Sequence, residues 1–176
     1  IIKVAVGIVK NSGAEALNAR NIALELNCST QPIFSNFATM DELKAAVVES
    51  ATELYKEYSK QDVDSGKYPV YKASGMAYIR FAKEQKELFK LLFMCDRTDQ
   101  TIPKDTELFS SMASIVQNNT GLEKESATLF HLEMWGFVHG IATMFATNFL
   151  DLDWDLVSKM LSDSYQGLKK QYEIEE

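Results

Sequence analysis

The apolar residues of this chain recur at three- and four-residue spacing along nearly its whole length. Nowhere do they alternate with polar ones between turn signals, so the pattern predicts an all-α protein. Ile1, Val4, Ala5, Ile8 and Val9 mark a first helix over 1–10, ended by Asn11, Ser12 and Gly13. Asn18 is placed to cap a second helix, whose stripe of Ile22, Ala23 and Leu26 stops at Asn27. Ser29 is expected to cap a third through the amide of Gln31, with Pro32 tolerated because first-turn amides have no intrahelical acceptor. Ile33 and Phe37 then share one face, and Thr30, Gln31, Ser35 and Asn36 turn elsewhere. Thr39, Met40, Asp41 and Glu42 spell a capping box, opening a long helix striped by Leu43, Val47, Ala51, Leu54 and Tyr58 and expected to end near Ser59.

Residues 61–69, with their Asp, Ser, Gly and Pro, read as the clearest loop. Beyond it the spacing predicts helices over 70–83 and 86–95, a polar connector over 96–104 carrying Pro103, and a helix over 105–119 stopped by Gly121. Two more follow, over 122–149 and 154–172, for about nine in all. The organisation expected is an amino-terminal three-helix unit over 1–48 and a helical bundle over 49–176. No repeat or low-complexity tract interrupts it.

Charge changes this picture in one way. The net charge is −7, yet Lys3, Lys10, Arg20 and Lys44 balance Glu15, Glu25, Asp41 and Glu42, so residues 1–44 are neutral and the acidity lies beyond them. Any nucleic-acid role is thereby confined to the amino-terminal segment. The chain begins at Ile1 without a methionine, which leaves room for a basic arm upstream. Cys28 and Cys95, far apart in sequence, are expected to be unpaired packing thiols in a reducing cytoplasm. The most apolar window, 134–150, is shorter than the roughly 20 residues of a membrane span and reads as a buried helix.

Two short helices joined by a tight turn, the second with a polar outer face, form the helix-turn-helix arrangement. Gln and Asn can bond adenine bidentately, and Thr offers a hydroxyl and a methyl, so Thr30, Gln31, Ser35 and Asn36 suit base-edge readout. Read without that context, the same positions are a solvated polar face.

The run LNARNIALELNCSTQPIFSNFATMDELKAAV over 17–47 resembles the DNA-binding domain of the tetracycline-repressor family of transcriptional regulators. LFKLLFM over 88–94 and WGFVHG over 135–140 resemble a subgroup of that family's ligand-binding domains with a Trp, His, Gly signature. The resemblance implies a cytoplasmic homodimer that binds a near-palindromic double-stranded DNA operator and releases it when a small molecule enters the carboxy-terminal domain. It places Asn18 and Thr30 where the family contacts phosphates, and Pro32 and Phe34 on the recognition helix. Phe34 stands where the family has a phosphate-binding tyrosine. Met40 stands where it often has a lysine, which makes Lys44, one turn on, the substitute for backbone binding.

Trp135, Phe137, Val138, Ile141, Met144 and Phe145 cannot all face one core, so two sides of that helix are expected to be buried, one of them against a partner subunit. Gly136 and Gly140 point to a close helix approach, either within the chain or across subunits. The last helix adds Trp154, Leu156, Val157, Met160, Leu161, Tyr165 and Leu168, a stripe suited to a four-helix interface between two copies through the last two helices. Tyr78, Phe81, Phe89, Phe93, Met94, Trp135 and His139 combine apolar bulk with a few polar tips. They are the expected pocket for a partly apolar effector, or else ordinary core.

No nucleophile motif, phosphate loop or C-x-x-C is present, and no enzyme, metal or cofactor is expected. Thr128 and Gly136, three residues before His131 and His139, exclude a di-iron bundle. Asp151, Asp153 and Asp155 imitate a calcium loop, but Leu156 and Ser162 hold its glycine and glutamate positions, so a helix-initiating acidic turn is expected. The competing functional reading is a helical small-molecule-binding module without DNA affinity, and a third, weaker one is an enzyme that uses the pocket with His139 as base.

Overall fold

Gly13 ends the first helix: at φ +80 it adopts a conformation that L side chains rarely take, and its amide donates to Val9 O. In this computed structural model, which describes residues 1–95 and 107–174, every regular element is helical. Helix α1 spans Ile2–Ser12, followed by a single 3-10 turn over Ala14–Ala16. Asn18 caps α2, Ala19–Glu25, by accepting the Asn21 amide at 2.9 Å, and Asn27 leaves that helix in the left-handed region. Helix α3 spans Gln31–Asn36. Its expected cap is corrected: Thr30, not Ser29, sits at the N-cap, and makes no side-chain cap bond. The reason is local. Thr30 is already in the right-handed helical region, whereas a capping residue needs an extended backbone to reach back to the first-turn amides.

Thr39 Oγ1 accepts the Glu42 amide at 3.1 Å, opening α4, Met40–Asp64; the Glu42 carboxylate in turn accepts the Ala38 amide at 2.7 Å. This helix runs past its expected end at Ser59. Arg80 holds the extra turn, pairing with Asp62 at 2.9 Å, donating to the carbonyl of Tyr58 and lying over the Tyr58 ring. The expected boundary after residue 48 falls within α4, where the helix continues without a break.

Helices α5, Val70–Glu84, and α6, Lys86–Phe93, follow with only Gln85 between them. The connector expected over 96–104 lies outside the described residues. Helix α7, Glu107–Thr120, stops at Gly121, and α8, Lys124–Ala146, and α9, Trp154–Gln171, complete the order. Asp153 caps α9, accepting the amides of Asp155 and Leu156, so the acidic run is the helix-initiating turn expected.

Helix α5 is the central element, packed on α4 and α8 and touching α6, α7 and α9. At Gly75 an added Cβ would lie 3.2 Å from Leu161 and 3.6 Å from Val138, so glycine permits the close approach of α9 and α8. One core extends from Ala5, Val9, Ile22 and Ile33 through Leu43 and Val47 to Phe81, Phe89, Ile141 and Leu161. A second, smaller cluster forms around Val116, Ala127, Phe130 and Met134. No helix among the described residues is long and apolar enough to cross a membrane.

Both cysteines are free, but neither is a packing thiol: each is exposed, Cys28 in the turn before α3 and Cys95 just past α6. Each follows a helix end, where the chain has already come to the surface.

Candidate functional site

Helix α3 is held by one anchor. Ile33 is fully buried against the core that includes Ala5, Val9, Ile22 and Ala23, and Phe37 packs partly against the same cluster. Thr30, Gln31, Pro32, Phe34, Ser35 and Asn36 are all exposed, so the expected division of faces is what the structure contains. Two of the polar side chains turn back on their own helix: Ser35 Oγ donates to Gln31 O at 3.0 Å, and Asn36 Nδ2 to Pro32 O at 2.7 Å. Asn18 is exposed while capping α2, and Lys44 lies one turn into α4, 3.6 Å from Asp41. That ion pair shields part of the cation on which backbone binding was expected to rest.

The aromatic residues expected to line a pocket divide into two groups. His139 on α8 is sandwiched: the Trp135 ring stacks on it at 5.0 Å and 19°, and the Phe89 ring lies at 5.9 Å and 29°. Its Nδ1 lies 2.9 Å from the Tyr78 hydroxyl, and Tyr78 and Phe89 each touch Phe93. Partial burial holds the His139 pKa below the ordinary 6.5, so the ring is neutral at pH 7. Phe81 belongs instead to the α4 side, edge-on to Tyr55 and Tyr58. Met94, expected in the pocket, caps the end of α6 and stays largely exposed. An open cleft of about 500 Å³ lies elsewhere, between Lys10 and Asn11 of α1 and residues 83–87, and none of the expected pocket residues lines it.

Sequence reasoning missed two parts of this arrangement. Tyr55 is buried at the junction of both aromatic groups, touching Tyr78, Phe81 and Phe93, and burial raises its pKa far above the ordinary 10. Its position, one residue off the stripe through Leu54, concealed it. The second is a buried twin of the Tyr78–His139 pair: the Tyr71 hydroxyl lies 2.9 Å from His131 Nδ1, with Phe109 packed on the imidazole at 4.4 Å. Burial pushes His131 down to about 4. Tyr71 and Tyr78 are seven residues apart, and His131 and His139 eight, so both rungs rise together and α5 and α8 run parallel. That matched spacing was a readable signal.

On α8 the side away from the core is bare. Among the described residues, a Cβ added at Gly136 or Gly140 would meet nothing within 4 Å, so no close helix approach within them accounts for these glycines. Leu129 lies half-exposed on the same face. On α9 only Val157 and Leu161 of the expected stripe are fully buried, and Leu156 points to solvent.

Residues 71–162 match a family model described as the tetracyclin repressor-like C-terminal domain. The whole chain is similar in structure to a TetR-like transcriptional regulator from Rhodococcus sp. RHA1. The TM-score is 0.72 at 17% identity, covering 95% of this chain and 92% of that one. No curated protein matches in sequence. At so low an identity, the structural likeness carries the fold.

Proposed function

The chain belongs to the tetracycline-repressor-like family of transcriptional regulators, and from that premise we propose that it is a dimeric repressor released from a palindromic operator by a small molecule. The observation that carries this reading is α3 itself, a short helix pinned by one fully buried residue, Ile33, with Thr30, Gln31, Pro32, Phe34, Ser35 and Asn36 turned to solvent. Such a helix suits the major groove, with Gln31 on a base edge and Asn18, Thr30 and Lys44 on the backbone. The bare glycine face of α8, with α9 beside it, is where the second copy docks.

The effector enters beside His139. The Trp135, Phe89 and Tyr78 rings all lie against that imidazole, so a largely apolar molecule is accommodated at little desolvation cost. With the Tyr78 hydroxyl donating to Nδ1, the neutral ring carries its proton on Nε2, a donor for one polar atom of the ligand. Phe89 and Phe93 lie on α6, which packs directly on α1 and α4. Separating these rings therefore moves the helices that mount α3, and a change in the spacing of two recognition helices weakens a grip that requires roughly 34 Å between them.

The second reading, a ligand-binding module without DNA affinity, is favoured by one observation: Lys44 is paired with Asp41 within an electrically neutral segment. Fluorescence anisotropy of the protein on its own upstream DNA, with nonspecific competitor, separates the two. Saturable binding that resists competitor and weakens steeply with salt supports the regulator. Absence of selective binding there and in a selection from random duplexes rejects it in favour of the module.

A further inference from the structure

Helix α3 presents one aromatic ring on its outward face, and it carries no polar atom: Phe34 is 49% exposed. The polar side chains after it are partly occupied, since Ser35 donates to Gln31 O and Asn36 to Pro32 O. Pro32 has no amide hydrogen to offer. Gln31, one turn before Phe34, is the amide on this face free of any bond to its own helix, and the two side chains lie on the same side at i, i+3. The outward surface is therefore an amide beside a bare phenyl. A phenyl group cannot bond a phosphate, and left in water it gains nothing. The apolar feature that a base pair exposes in the major groove is the 5-methyl group of thymine.

We infer that Phe34 is a specificity-determining residue that reads a thymine methyl group next to the base pair bonded by Gln31. The inference rests on the operator-binding reading above. It makes Phe34 a sequence reader, where a hydroxylated ring at the same place would be a backbone anchor. The half-site is then A·T-rich at adjacent positions, adenine facing Gln31 and thymine facing Phe34.

The test uses the full chain and a duplex recovered by selection from a randomised DNA library. Each thymine of one half-site is replaced in turn by uracil, which removes the methyl group and leaves pairing and backbone unchanged. Wild-type protein is expected to bind one of these duplexes about fourfold more weakly, the worth of one buried methyl group. Phe34→Ala is expected to bind the thymine and uracil duplexes equally, and Phe34→Leu, which keeps a large apolar side chain, to retain part of the preference. Because Phe34 is exposed, both variants should keep the parent's helical circular dichroism. Selective binding by the wild type that is indifferent to uracil at every position overturns the inference and leaves the operator reading standing. Failure to select any duplex removes both.

Discussion

The Tyr78 hydroxyl lies 2.9 Å from His139 Nδ1, and the other side of that relationship is Trp135, stacked on the same imidazole at 5.0 Å. One ring therefore joins a hydrogen-bonded pair to a fluorophore. A protonated imidazole quenches a stacked indole, so in a Trp154→Phe background emission should fall on acidification with a midpoint below the ordinary histidine value of about 6.5. Tyr78→Phe removes a bond that favours the neutral ring and should move the midpoint upward. A midpoint unmoved by Tyr78→Phe would show that the phenol does not hold His139 in its neutral form.

The buried twin makes a stability prediction with a definite sign. Burial lowers the His131 pKa from 6.5 in the unfolded chain to about 4 in the folded one. Between those values the unfolded state binds more protons, so acid favours unfolding, and stability falls as pH drops below about 6.5 and continues to fall towards 4. At pH 5 the loss relative to pH 7 should be about 2 kcal/mol. His131→Asn retains an acceptor for the Tyr71 hydroxyl without a titrating group. Urea unfolding at the two pH values should show this part of the loss removed, and an unchanged loss would assign the acid sensitivity to other groups.

Two residues of α3 two positions apart should fail in opposite ways. Ile33 is fully buried, and Ile33→Ala should cost roughly 2–4 kcal/mol of stability and abolish DNA binding by releasing the helix. Gln31 is exposed, so Gln31→Thr or Gln31→Ala should leave unfolding unchanged while costing about 1–3 kcal/mol of binding at one base pair. Anisotropy against single-base variants of a selected duplex reads the second effect. Equal loss on every duplex would remove Gln31 from the bases and put it on the backbone.

These contrasts follow the division between what was legible in the chain and what was not. Asn18, Thr39 with Glu42, Gly13 and Gly121 were readable because each acts on amides or carbonyls within a few residues of itself. The cap of α3 was not, because the turn out of α2 sets the backbone of Thr30, and residue type is silent about that. The true end of α4 depends on Arg80, 18 residues beyond Asp62, a tertiary contact with no local trace. The aromatic site was legible in composition and only partly in grouping. Phe81 and Phe89 both lie in the core, but which of them meets His139 depends on the packing of α6 on α8, while the parallel pairing of α5 with α8 sets the Tyr78 contact. The Tyr71–His131 rung depends on that pairing too, and went unread although its spacing repeats that of Tyr78 and His139.

The bare face of α8 gives the sharpest test of assembly. Glycine in a helix interior costs about 1 kcal/mol relative to alanine, so two glycines one turn apart lower the stability of α8 with nothing among the described residues to explain them. Neither would meet a clash among the described residues if given a Cβ, and Gly136→Ala should therefore leave the isolated fold as stable as before, or more stable. A bulkier Gly140→Leu should also fold, but it holds a second α8 away from the close approach that a glycine seam allows, weakening self-association at least tenfold. Sedimentation equilibrium reads this directly, alongside the concentration dependence of the melting temperature, which should disappear in the variant. Unaltered self-association in Gly140→Leu would move the subunit contact off this face of α8. A loss of association together with a loss of helical content would instead mean that the glycine serves the fold of the single chain.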